Sequence, residues 1–99
     1  MEIIYKYKIP VSPDHLKRFK LYIPYDAEIL SVQLQGGKPV IWAKLETQEQ
    51  SVERTFVIYG TGIEIMRGDC GYDLVDCELN YVGAWQQPPY VWHLFEEIC

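Results

Sequence analysis

At 99 residues, with 48% hydrophobic and 23% charged side chains, the chain has the composition of one ordinary globular domain rather than a multidomain enzyme. Its 14% aromatic content is unlike that of an intrinsically disordered chain, and no apolar run approaches the ~18–20 residues of a membrane-spanning helix. The opening Met1-Glu2-Ile3-Ile4-Tyr5-Lys6 lacks the basic-then-apolar order of a signal peptide. A net charge of −5 argues against nonspecific nucleic-acid binding, which depends on cations replacing counterions at phosphates.

The chain reads as a succession of short strands. Ile3, Tyr5, Tyr7 and Ile9 alternate with Glu2, Ile4, Lys6 and Lys8 until Pro10 ends the run. After a Val11–Asp14 loop, Phe19, Leu21 and Ile23 alternate with Arg18, Lys20 and Tyr22 as far as Pro24. One helical turn over 15–20, with Asp14 as N-cap, is the alternative there. The clearest element is a hairpin over 29–46. Leu30, Val32 and Leu34 alternate with Ser31, Gln33 and Gln35, and Gly36-Gly37 supplies the positive φ values of a tight turn. The return strand runs from Pro39 to Leu45.

Polar residues 47–51 form a loop, Val52–Tyr59 another strand, and Gly60-Thr61-Gly62 a stop, with Ile63-Glu64-Ile65 continuing briefly. Arg67–Asp76 reads as an irregular loop. Leu79, Tyr81, Gly83 and Trp85 then alternate with Glu78, Asn80, Val82 and Ala84, Pro88-Pro89 punctuates, and Tyr90–Phe95 is the last strand. The expectation is a single all-β domain over residues 1–99. It would hold six or seven short, mainly antiparallel strands in a small sandwich or partly closed barrel.

Charge is unevenly spread. Residues 1–44 carry seven basic and four acidic side chains, and residues 64–99 one basic and seven acidic. The molecule therefore has either one basic face or two halves that attract each other. Three cysteines, Cys70, Cys77 and Cys99, suit reduced thiols better than a disulfide scaffold. Their spacing is not that of a zinc knuckle, and no metal or other cofactor is expected.

Three groups could carry chemistry. Gly60-Thr61-Gly62 could offer backbone N–H groups to a phosphate, although the same glycines suffice for a turn. His93 lies in a strand beside Trp92 with no nucleophile motif near any serine, so a catalytic role is not expected. The aromatics exceed the needs of a small core, and Tyr59, Trp85 and Trp92 could stack on a ligand whose phosphates meet Arg54 and Arg67.

Tyr5-Lys6-Tyr7-Lys8-Ile9-Pro10 and Ile29–Gln35 open a longer pattern, followed by Pro39-Val40-Ile41-Trp42-Ala43 and Thr55–Gly62. Tyr81-Val82-Gly83 and Val91–Glu96 complete it, and in this order it resembles a family of small, uncharacterised proteins of tailed bacteriophages and prophages. Family members carry a small residue and Thr where this chain has Ala84-Trp85, and are shorter before the Tyr-Val-Gly strand. The resemblance implies a non-enzymatic counter-defence protein in the cytoplasm of the infected bacterial host. The mechanism expected is capture of a nucleotide-type signal, and because a chain this short encloses little of a ligand alone, the pocket is expected at a homo-oligomer interface. The candidate ligand-binding set is Arg54, Tyr59, Gly60, Thr61, Gly62, Arg67, Trp85, Trp92 and His93. A host defence protein as direct partner, or a decoration role in the virion, are the alternatives.

Overall fold

The computed structural model describes residues 1–10, 18–46, 50–62 and 78–98. The described residues form seven strands: β1 (Glu2–Lys8), β2 (Arg18–Pro24), β3 (Glu28–Gln35), β4 (Lys38–Glu46), β5 (Ser51–Gly60), β6 (Glu78–Gln87) and β7 (Tyr90–Ile98). They form a three-stranded sheet in the order β1-β4-β3 and a four-stranded sheet in the order β2-β5-β7-β6, antiparallel throughout. The sheets face each other without closing into a barrel, so the sandwich is the form adopted. No described residue is helical, and residues 18–20 are strand. The rest of the alternative helical turn at 15–20 lies outside the described residues, as do the loops at 11–14 and 47–49, Ile63–Ile65, the Arg67–Asp76 stretch and all three cysteines.

Alternation explains the layering. Ile41 and Leu45 of β4 point inward with Ile3, Tyr7 and Ile9 beside them, and meet Phe19, Ile23, Phe56, Ile58 and Leu94 from the other sheet. Such fully buried side chains supply most of the driving force, about 1.5–3 kcal/mol each before entropy is counted. Burial pushes the Tyr7 phenol above its usual pKa, and neighbouring Tyr5 adds to the shift. At the β3–β4 hairpin, Gln35 pairs with Lys38 around Gly36 (φ 59°) and Gly37 (φ 80°), the positive-φ pair that a two-residue turn demands.

Two bulges alter the alternation expected from the sequence. In β3 the register shifts between Ile29 and Ser31, so Leu30 is turned partly to solvent and Ile29 packs on the core in its place. In β6 the register shifts between Tyr81 and Gly83. Tyr81 therefore pairs with Phe95 on the outer face, while Gly83 and Trp85 pair with Leu94 and Trp92 on the inner face. One extra residue in a strand reverses the side-chain parity beyond it, so these residues do not share a face. Gly83 also sits where β6 passes β3: a Cβ there would stand 3.1 Å from Val32 Cγ1. Its absence lets the two sheets meet along that side.

Candidate functional site

The four-stranded sheet divides the residues singled out from the sequence. Arg54 lies on the inner side of β5, in the same alternation as Phe56 and Ile58, toward the strand's beginning. Its Nε and Nη2 donate to the two carboxylate oxygens of Glu96 at 2.6 and 2.7 Å. Nη1 donates to the carbonyls of Ala27 at 2.7 Å and Pro24 at 3.3 Å. The cleft beside it, about 420 Å³, is lined by Glu53, Glu96 and Glu97 as well as Arg54. A phosphate there would face three carboxylates, and the guanidinium is already committed to one of them.

Tyr59, Thr61 and His93 come together at the other end of β5. Tyr59 pairs with His93 across the ladder, and Thr61 Oγ1 lies 2.8 Å from His93 Nε2. The Thr61 N–H donates to Val91 O at 3.0 Å, so the Gly60-Thr61-Gly62 turn is laced to β7, with Gly62 at φ 86°. Trp85 and Trp92 are neighbours on the opposite face from His93. Trp85, 5% exposed, is core, with Nε1 donating to Gln87 Oε1 at 3.1 Å. Tyr59, 6% exposed, packs its ring edge-on against Phe95. Trp92 stays partly open, its ring 5.3 Å from that of exposed Tyr90. The sheet thus separates Trp85 and Trp92 from Tyr59 and His93, and neither pair lies by Arg54. Arg67 lies outside the described residues.

A different constellation gathers the uncommitted positive charge. Arg18 is bonded to Glu97, Lys20 to Glu53, Lys44 to Glu2 and Glu28, and the amino group of Met1 to Glu46. Among the described residues, the lysines and arginines with no carboxylate partner are Lys6, Lys8 and Lys38, and all three line one cleft of about 490 Å³. Ile9, Pro10, Gln35, Gly36, Pro39 and Val40 complete its lining, with no acidic residue.

The local fold explains this convergence. Lys6 and Lys8 alternate with Tyr7 and Ile9, which pack on the core, so both lysines project from the outer face of the sheet. The glycine turn brings Lys38 to the same end of the sheet, and Lys6 Nζ reaches across to Gln35 Oε1 at 2.5 Å. Trp42 neighbours Lys6 in the next strand, and its buried Nε1–H has no acceptor. Three ammonium groups without counter-charges in one concavity give it a positive field, the electrostatic condition for holding a multiply charged anion. The signal in the sequence was the period-two Lys6/Lys8 pair within the basic first 44 residues. Lys38 joins them only through the hairpin.

The chain matches, over residues 1–99, the model of the family described as Domain of unknown function (DUF7352), and it belongs to that family. No curated protein and no solved structure matches it significantly.

Proposed function

We propose that this member of the DUF7352 family is a non-enzymatic binding protein whose lysine cleft captures a phosphate-bearing small molecule of the nucleotide type. The carrying observation is that Lys6, Lys8 and Lys38, alone among the described lysines and arginines, lack a carboxylate partner and line one acid-free cleft. In a protein of net charge −5, such a cleft admits a compact polyphosphate while the remaining surface repels long polyanions. Phosphate oxygens accept from the three ammonium groups as charge-assisted hydrogen bonds. The resemblance to phage and prophage proteins gives this capture a setting. A stoichiometric sponge in an infected bacterial cell would withdraw a nucleotide signal of the host's defence without turning it over.

Calorimetric titration with ATP tests the reading, with inorganic tripolyphosphate as a competitor that lacks the base. Wild-type protein should bind ATP with an affinity that falls as salt rises. The Lys38→Glu variant should bind at least about tenfold more weakly, the equivalent of ~1.4 kcal/mol. Binding unchanged by this charge reversal would remove the cleft from the account.

A further inference from the structure

The edge strands are β1 and β3 in one sheet and β2 and β6 in the other; β3 and β6 run against each other, whereas among the described residues β1 and β2 have no strand on their outer side. An edge strand presents a row of unpaired backbone N–H and C=O groups, and proteins ordinarily blunt it with charge, proline or a covering segment. On β1, Ile4 is 65% and Tyr5 52% exposed, and seven consecutive residues, Glu2 to Lys8, are extended. We propose that β1 is a self-association edge: two copies of this chain join β1 to β1 antiparallel, making a continuous six-stranded sheet from two three-stranded ones.

The order of residues in β1 carries the argument. The antiparallel register that pairs all seven residues sets Glu2 opposite Lys8 of the second copy, at both ends of the ladder. It sets Ile4 opposite Lys6 and Tyr5 opposite Tyr5 on the two-fold axis. Inward residues meet inward residues, so both faces of the sheet continue across the junction. The acidic start and basic finish of one strand become charge complementarity between two copies, and the lysines that would repel most strands attract this one.

The edge of β2 has no such complementarity. Its fully paired register sets Arg18 opposite Pro24, which has no N–H, and Lys20 opposite Tyr22. The β1 pairing does not rest on the cleft reading, whose test uses Lys38, a residue of β4; in the dimer Lys8 gains Glu2 of the second copy as a partner, and Lys6 and Lys38 remain the cleft's cations without a carboxylate.

Sedimentation equilibrium of the full chain with an unmodified N-terminus, without added nucleotide, tests the proposal. The wild type should be a dimer, and Glu2→Lys and Lys8→Glu should each weaken it at least tenfold by setting like charges opposite one another. The double variant Glu2→Lys/Lys8→Glu should regain most of it, because the pairs between copies are re-formed with their signs exchanged while only the exposed Glu2–Lys44 contact at 3.8 Å within each chain is lost. Should a single variant fail to fold by circular dichroism, Tyr5→Lys puts two ammonium groups on the two-fold axis and should also give monomers. A wild-type monomer at hundreds of micromolar overturns the proposal. So does a dimer indifferent to both charge reversals, or a double variant no better than the singles.

Discussion

Arg54 illustrates how a residue's position decides its role. It alternates with Phe56 and Ile58 on the inner side of β5, where a guanidinium must be satisfied by the protein itself. Glu96 and two backbone carbonyls do so, tying β5 to β7 and to the β2–β3 connection. Replacing Arg54 with methionine strands the Glu96 carboxylate, only 11% exposed, and two carbonyls. The expected cost is about 3 kcal/mol, read as a lower midpoint in urea denaturation. ATP binding by the folded fraction should be unchanged. Its place in the alternation was readable in the sequence as an arginine spaced two residues from Phe56, but the identity of its partner was not. Glu96 lies 42 residues away on a strand that only the sheet order makes a neighbour.

At the scale of elements, strand positions and the β3–β4 hairpin were legible because period-two alternation and Gly36-Gly37 are local signals. The bulges were not, because an inserted residue leaves the composition of a strand unchanged while reversing which face each later side chain occupies. Gly83 was the trace one of them left, a glycine in the interior of a strand. Gly83→Ala should destabilise the protein by about 1–2 kcal/mol, since the new methyl meets buried Val32 at 3.1 Å. Combined with Val32→Ala, it should cost less than the sum of the two single changes. A double-mutant cycle on urea midpoints would register that coupling, and strict additivity would place the strain elsewhere.

At the scale of the whole molecule, the sequence's charge asymmetry resolves into two kinds of cation. Arg18, Lys20, Lys44 and Arg54 are paired with carboxylates, whereas Lys6, Lys8 and Lys38 face solvent around one cleft. Totals over the first 44 residues could not separate these groups, because pairing depends on which strands become neighbours. The same packing divides the aromatic residues: Trp85 and Tyr59 are buried, on opposite faces of one sheet, and supply no common stacking surface. The proposed anion binding therefore centres on the outer face of the three-stranded sheet, at its hairpin end.

The most direct test of that claim is an amide nitrogen–proton correlation spectrum of the protein titrated with ATP at constant ionic strength. Saturable shifts should be confined to Lys6, Lys8, Gly36, Gly37 and Lys38 and their immediate neighbours. A spectrum unmoved by ATP, or one whose shifts cluster at Thr61, Gly62 and His93 instead, would contradict the account.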